Sequence, residues 1–283
     1  MIDCAELKKS GFIPQRQNGY FCLRVKITGG YVVSQNLAAL SEVARIYGNG
    51  EVHLTSRQNI EIPFIALVNI ENVREMLTKA GLSPITLGPS LRNITACQGT
   101  ATCKNGLIDT QQLAKYLSEN LTERNVLPYK FRIGLTGCHN NCLKIEKNDL
   151  GLKGGFIPEH RHEHCINCGI CQRGCPTRAI IPGSPSLTID SSKCVNCGSC
   201  LNHCPNECWA GQLGTVIFFG GRFDNQVQTS HNCFPIITED KKLLIAINRC
   251  LDFYQKFGYK GERFNQTVTR LSWAKFDQFI LEA

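Results

Sequence analysis

The sequence lacks a long apolar segment, a run of like charges and a dinucleotide-binding fingerprint. No apolar stretch is long enough to cross a bilayer, and the first residues, MIDCAELKKSG, contain no signal-peptide core. The 31 Lys and Arg residues never form a run of five or six. No G-x-G-x-x-G motif follows a strand-like segment. These absences argue against a membrane-spanning or secreted protein, and against direct oxidation of a nicotinamide cofactor.

Cysteine, by contrast, is abundant, with 17 among 283 residues. A secreted disulfide scaffold would be shorter and would usually have an even number of cysteines. We therefore expect a cytoplasmic protein in which most cysteines bind metal. Those without a recognisable cluster spacing are predicted to be free thiols, namely Cys4, Cys22, Cys208, Cys233 and Cys250.

Eight cysteines form two runs with the same spacing, C-x2-C-x2-C-x3-C-P. In bacterial two-cluster ferredoxins with this spacing, the fourth cysteine of each run binds the other cluster. Structural zinc sites have paired C-x2-C motifs without the third close cysteine, so zinc is disfavoured. The predicted ligand groups are Cys165, Cys168, Cys171 and Cys204 for one [4Fe–4S] cluster, and Cys194, Cys197, Cys200 and Cys175 for the second. Two such clusters indicate electron relay.

Four further cysteines have a different spacing, Cys97-x5-Cys103 followed by Cys138-x3-Cys142. This is neither a zinc-finger nor a ferredoxin pattern. If these residues hold a third cluster, twelve thiolates and three [4Fe–4S]2+ cores add about −6 to the charge. The formal net charge of +8 then falls to about +2. We therefore interpret the basic excess as compensation for anionic contents, and we predict no nucleic-acid partner.

Periodicity predicts an α/β organisation. Alternation around Phe21–Ile27 predicts a strand, and residues 18–81 follow a strand–helix–strand–strand–helix order typical of a ferredoxin-like fragment. Its first helix is predicted to begin with Ser34 as N-cap and to bury Leu37, Leu40 and Val43. The other predicted elements are strands at 51–55, 60–65, 130–136 and 215–219, and helices at 71–79, 108–121 and 241–256.

Composition divides the chain into three predicted parts. Residues 1–84 form the ferredoxin-like half-domain, 85–156 and 213–283 form a discontinuous second domain, and 157–212 form an inserted ferredoxin. The polar segment His160–His164 is interpreted as a linker rather than a metal site.

Five segments together resemble the siroheme-dependent sulfite/nitrite reductase family, in particular its small members that carry a ferredoxin insert. They are HLTSRQNIEI, LRNITACQGTATCKNG, LPYKFRIGLTGCHNNCLK, GGRFDN and KGERF. The resemblance implies a reductase-like α+β/α/β fold with an N-terminal ferredoxin-like half-domain. It also implies that Cys97, Cys103, Cys138 and Cys142 hold a [4Fe–4S] cluster, with Cys142 shared with the siroheme iron.

The resemblance further implies a set of basic residues that bind the substrate anion. The matching positions are Arg57, Arg92, Lys130 and Arg132, of which Arg132 replaces a lysine found in several relatives. Because guanidinium groups do not deprotonate, we expect Lys130 to deliver protons and the arginines to hold the anion. Further expected siroheme contacts, chosen by position, are Gln58, Asn59, Lys104, Asn140, Asn141, Gly220, Gly221 and Arg222.

The expected reaction is the six-electron reduction of sulfite to sulfide. Alternatives are the reduction of nitrite to ammonia, a non-catalytic iron–sulfur electron carrier, and a siroheme-binding protein with another reaction. Electrons are expected from a ferredoxin or from an iron–sulfur/flavin subunit. The sequence carries one copy of a half-domain that larger relatives carry twice, so a homodimer or a partner subunit is expected to supply the second.

Overall fold

In the computed structural model, helices and short strands alternate through the chain, as the periodicity predicts. The structure describes residues 4–121, 126–183 and 187–281. The described helices are α1 Cys4–Lys9, α2 Ser34–Tyr47, α3 Ile70–Lys79, α4 Thr110–Asn120, α5 Ile170–Arg173, α6 Ser199–His203, α7 Asp240–Phe257, α8 Phe264–Leu271 and α9 Trp273–Leu281. The strands are β1 Phe12–Pro14, β2 Tyr20–Val25, β3 His53–Leu54, β4 Ile60–Ala66, β5 Thr95–Ala96, β6 Ile133–Thr136, β7 Leu150–His160, β8 Ile180–Ile181, β9 Thr188–Ile189, β10 Trp209–Phe219, β11 Arg222–Phe223 and β12 Val227–Gln228.

The chain divides into two compact units, which are described separately. Unit 1 comprises Met1–Ala96, Ala114–Gly134 and Arg249–Ala283. Unit 2 comprises Cys97–Leu113 and Leu135–Asn248.

A four-stranded antiparallel sheet in the order β1-β2-β4-β3 forms the first part of unit 1. Along β2, Phe21, Leu23 and Val25 are buried while the residues between them are partly exposed. The alternation therefore directs every second side chain into a core shared with α2 and α3. The predicted strand–helix–strand–strand–helix order is present.

Helix α2 differs from its prediction in two respects. Its N-cap is Val33, with no side-chain cap, so the prediction of Ser34 as N-cap is wrong. Leu37 is 48% exposed, so its assignment to the core is wrong. The buried stripe consists of Leu40, Val43 and Ala44, and Leu37 lies in the first turn before that stripe begins.

An aromatic cluster packs the last helices of unit 1 around Phe131. Phe131 is fully buried, and its ring lies 5.3 Å from Phe264 and 5.9 Å from Tyr254 between centroids. The predicted strand over 130–136 is shorter, because β6 begins only at Ile133. Before it, Phe131 forms a single isolated bridge with Leu91. One bridge fixes the extended backbone at this point without continuing the sheet.

Two long antiparallel strands, β7 and β10, organise unit 2. Their register pairs Leu150 with Phe219 at one end and His160 with Trp209 at the other. The predicted insert limits, 157 and 212, fall inside these strands. The intervening segment, 161–208, holds helices α5 and α6 and the small β8–β9 sheet. His160 belongs to β7, so its assignment to a linker is wrong.

Within the described ranges, no helix is long and apolar enough to cross a membrane.

The burial of Phe131 predicts a large loss of stability on truncation. Phe131→Ala should lower the free energy of unfolding by about 3–5 kcal/mol, because it removes a ring from a packed core. Phe131→Leu should cost less, and Phe223→Ala, at an exposed position, should cost little. Denaturant unfolding followed by circular dichroism would measure this. A loss below about 1 kcal/mol for Phe131→Ala would contradict the packing described.

Candidate functional site

Unit 1 contains a strongly basic cavity of about 260 Å³. The four basic residues expected from the sequence all line it, together with a fifth, and the five are Arg24, Arg57, Arg92, Lys130 and Arg132. Among the described residues that line the cavity, none is acidic. The structure therefore brings the predicted basic set together on one surface.

Local structure explains this convergence. Phe131 enters the core, so the flanking side chains of Lys130 and Arg132 turn toward the cavity. Arg57 is anchored by its Nη2, which donates to the Asn93 carbonyl oxygen at 2.7 Å and to the Ile133 carbonyl oxygen at 3.2 Å. The guanidinium is thus fixed by backbone oxygens rather than by a carboxylate.

The electrostatics of this cavity favour an anion. Burial, followed by the positive charges of Arg132 and Arg24, lowers the pKa of Arg92 from its ordinary value. Arg92 Nη2 donates to the Gly88 carbonyl oxygen at 3.0 Å, so a neutral acceptor holds it in place. Repulsion among the cations would be relieved by a bound anion or an anionic cofactor.

Arg24 was missed by the sequence reasoning. It lies on the partly exposed face of β2, and its Nε donates to the Glu61 carboxylate on β4 at 2.6 Å. His53 Nδ1 lies 3.0 Å from the other carboxylate oxygen. The alternation that predicted β2 also places Arg24 opposite the buried face, and this was the available signal.

The residues that follow Arg57 make contacts within unit 1. Gln58 forms paired hydrogen bonds with the backbone of Ala96, donating at 2.8 Å and accepting at 2.9 Å. Asn59 is buried, and its Oδ1 accepts from the Asn93 side chain at 2.7 Å and from the Ile27 amide at 3.3 Å. Both side chains hold the backbone around the basic cavity.

Unit 2 brings together the four cysteines at 97, 103, 138 and 142. Burial raises the pKa of the Cys138 thiol, and the nearby sulfurs of Cys103, Cys97 and Cys142 raise it further. The Gly137 amide donates to Cys97 Sγ at 3.1 Å. Four mutually close thiols with a backbone donor on one sulfur suit a [4Fe–4S] cluster, whose iron keeps thiolates deprotonated.

The loop carrying Cys142 is braced by an ion pair. Lys153 is buried on β7 and donates to Glu146 at 2.7 Å, while the Asn141 side chain donates to the same carboxylate. Although burial raises it, these hydrogen bonds bring the pKa of Glu146 below its ordinary value of 4.5. Asn141 also accepts from the Ile145 amide at 3.0 Å, so its side chain is engaged within the loop.

The remaining expected siroheme contacts lie in different settings. Lys104 and Asn140 are exposed. A Cβ at Gly221 would lie 1.8 Å from the Glu146 carbonyl oxygen, so glycine there permits approach to this loop. The Gly220 amide donates to the Asp149 carbonyl oxygen at 2.8 Å, and Arg222 Nε donates to Asp224 at 2.8 Å.

The inserted segment forms two cysteine-lined cavities. The first, of about 240 Å³, is lined by Cys165, Cys168, Cys171 and Cys204. The second is lined by Cys175, Cys194, Cys197 and Cys200. The fourth cysteine of each run therefore faces the other group. Burial raises the pKa of the Cys200 thiol to about 12, so without a bound metal it would stay protonated. The donor sets fit two clusters.

One buried cluster links all three cysteine groups. Leu107, Phe156 and Trp209 pack together with one cysteine from each group, namely Cys138, Cys171 and Cys200. The Phe156 amide donates to the Asn196 carbonyl oxygen at 2.9 Å, which ties β7 to the insert. The two insert groups and the third group are therefore in one packed region of unit 2.

The Glu146 ion pair predicts a pH-dependent stability. Glu146→Gln should lower the free energy of unfolding by about 1–3 kcal/mol at pH 7, because Lys153 keeps a buried, unpaired charge. The side chain of Glu146 is 33% exposed, which places the loss below that of a fully buried pair. Because its folded-state pKa is lowered, its contribution is complete above its ordinary pKa and disappears as the pH falls through the folded value.

Thermal unfolding of the two proteins from pH 7 downward would measure this difference. Glu159→Gln, at an exposed position on the same strand, is the matched control and should have little effect. A difference between Glu146→Gln and the parent that does not narrow in acid would contradict the assignment.

Comparison with known proteins places these features in a family. Residues 87–283 match the nitrite and sulphite reductase 4Fe-4S domain. Residues 13–80 match the nitrite/sulfite reductase ferredoxin-like half domain. Among solved structures, dissimilatory sulfite reductase I superposes with a TM-score of 0.75 at 20% identity, covering 92% of this chain and 69% of that one. That similarity concerns the fold.

Curated relatives extend the match. The coenzyme F420-dependent sulfite reductase of Methanocaldococcus jannaschii is 32% identical over 96% of this chain and 44% of its own. One subunit of the anaerobic sulfite reductase of Salmonella typhimurium, the small type to which the sequence resemblance pointed, is 31% identical over 61% of this chain and 54% of its own.

The ferredoxin-dependent nitrite reductase of Haloferax mediterranei is 32% identical over 50% of this chain and 27% of its own. The chain spans about half the length of the first two relatives. Both domain matches follow the two segments in which the resemblance was found, and the 4Fe-4S domain match covers most of the chain. The chain belongs to the nitrite and sulphite reductase family.

Proposed function

We propose that this chain is a siroheme and [4Fe–4S] reductase that converts sulfite to sulfide with six electrons. The observation that carries the proposal is the basic cavity, in which five cationic side chains converge and no described lining residue is acidic. A family member with such a cavity is suited to bind and reduce a small oxyanion.

Twelve cysteines are proposed as cluster ligands. Cys97, Cys103, Cys138 and Cys142 would hold the reductase cluster, with Cys142 shared with the siroheme iron. The two groups lining the insert cavities would hold the other two clusters. Siroheme, when bound, supplies the iron at which a substrate oxyanion accepts electrons.

The basic residues would perform the polar part of the chemistry. Arg57, Arg92 and Arg132 would neutralise the substrate and the siroheme carboxylates, since arginine keeps its charge throughout. Lys130 would deliver protons as oxygen atoms leave as water, because an ammonium group can give up a proton. The Lys130 Nζ lies 5.0 Å from the centre of the Tyr129 ring, which favours its charged form at rest.

Electron relay through the insert is supported by the shared buried cluster. Leu107 and Phe156 pack beside one cysteine of each group, so the protein between the three groups is tightly packed. Electrons entering at either insert cluster would then pass to the reductase cluster within unit 2.

A separate donor and a second protein are part of the proposal. The relative from Methanocaldococcus jannaschii is named for coenzyme F420, and this chain matches under half of it. We propose that a ferredoxin or an iron–sulfur/flavin subunit supplies the electrons to this chain. A second copy or a partner subunit would supply the second half-domain.

Nitrite reduction to ammonia is the second candidate. It is favoured by the similarity to the nitrite reductase of Haloferax mediterranei. Both reactions require six electrons and a cationic site. Sulfite carries up to two negative charges whereas nitrite carries one, so the five-cation cavity favours sulfite.

Absorption spectroscopy and metal analysis test the proposed cofactors. Anaerobically purified protein should show a Soret band and a siroheme α band. It should contain about thirteen iron atoms per chain, four for each cluster and one for siroheme. Cluster iron without siroheme bands would support the electron-carrier alternative instead. Turnover of sulfite and of nitrite with a reduced dye would then identify the preferred substrate.

Substitution of Lys130 tests proton delivery. Lys130→Ala should lower kcat for sulfite by about 10²- to 10⁴-fold, the usual contribution of a positioned acid. Lys130→Arg keeps the charge but not the exchangeable proton, so KM should change less than kcat. Lys79→Ala, an exposed lysine of the same unit, is the control. Full sulfite turnover by siroheme-loaded Lys130→Ala would exclude this role.

A further inference from the structure

His160 and Trp209 form the last cross-strand pair of β7 and β10. Because directly opposed residues of an antiparallel pair project to the same face, the two rings meet. Their centroids lie 4.9 Å apart with a tilt of 50°. Both residues line the cavity of Cys165, Cys168, Cys171 and Cys204. The hairpin end therefore forms one wall of the first insert site.

The polar atoms of this pair are buried without an ordinary partner. Neither ring nitrogen of His160, nor the indole nitrogen of Trp209, has a hydrogen-bond partner among the described residues. Buried polar groups in proteins are almost always paired, so unpaired ones call for an explanation. The Trp209 N–H acts on the Cys171 thiol, where it opposes the rise in pKa that burial causes. Its direction is therefore toward a predicted cluster ligand.

The second insert site lacks an equivalent of His160. The two sites share a main-chain feature, since the Ala179 amide donates to Cys175 Sγ and the Cys208 amide donates to Cys204 Sγ, each at 3.3 Å. The side chains around them differ. Besides Trp209, whose N–H acts on Cys171, much of the second cavity is apolar, with Phe156, Pro158, Ala179, Ile180, Ile189 and Val195 among its lining residues.

We propose that His160 and Trp209 donate N–H hydrogen bonds to sulfur atoms of the cluster held by Cys165, Cys168, Cys171 and Cys204, and that this cluster is therefore easier to reduce than its neighbour. The inference rests on the proposed function, since it requires both insert clusters. A neutral imidazole has one N–H to donate, and the indole has another.

The physical basis is the charge added on reduction. Each cluster accepts one electron in passing from the 2+ to the 1+ core, and the added charge spreads over its sulfur atoms. Hydrogen bonds to these sulfurs stabilise the reduced form and raise the reduction potential. Apolar surroundings do not, and they disfavour added charge. The duplicated cysteine runs would thus hold two clusters of unequal potential.

A redox titration followed by electron paramagnetic resonance tests the proposal on the whole, cluster-loaded chain. The parent protein should give two ferredoxin-type signals with separate midpoints. His160→Phe should shift the more easily reduced signal to lower potential, changing its ratio of reduced to oxidised cluster at least tenfold at fixed potential. For one electron this is about 59 mV. The other signal should stay in place.

Three variants complete the experiment. Trp209→Phe keeps an aromatic ring without an N–H and should shift the same signal in the same direction. His160→Gln retains an N–H donor and should restore most of the parent potential. His162→Phe, the same change at a histidine whose side chain is 60% exposed, should shift neither signal.

The outcomes separate this inference from the proposed function. If iron analysis and the parent spectrum show no insert clusters, the proposed function fails. If both clusters are present but Trp209→Phe and every cluster-retaining His160 variant leave the midpoints unchanged, or move both signals equally, the inference is overturned. A selective shift with intact iron content supports it.

Discussion

The pairing of β7 with β10 is the constraint on which unit 2 depends. Its register runs from Leu150 opposite Phe219 to His160 opposite Trp209. Lys153 on this pair holds the Cys142 loop through Glu146. A side chain at Gly154 would meet the Gly137 carbonyl oxygen at 2.2 Å, so the strand also touches the residue before Cys138. One hairpin thus supports all three cysteine groups of this unit.

Unit 1 solves a different physical problem, which is to hold like charges together. Repulsion among five cations is unfavourable, and the lowered pKa of Arg92 reflects it. The structure offsets this by fixing the chain behind the charges. Phe131 is locked in an aromatic core, and Arg57 is held by backbone oxygens. The site is therefore arranged before any anion arrives, so little reorganisation is required on binding.

Short-range patterns predicted much of this arrangement. Period-two alternation located β2, and cysteine spacing anticipated that Cys204 would join the first group and Cys175 the second. Long-range packing decided what the patterns could not. Strand β7 is buried on both faces over its first seven residues and shows no alternation, so its length was not apparent. The exposure of Leu37 and the place of Arg24 in the cavity depend on neighbours far along the chain.

The insert starts and finishes on facing residues. His160 and Trp209 are opposite each other, so the chain leaves and returns at points only one strand spacing apart. A short turn could close the same gap, and a long excursion costs little more in chain entropy than a short one. In evolutionary terms, an electron-transfer module could be gained or lost at this position without moving the strands that carry it. The reductase scaffold and its wiring can therefore change independently.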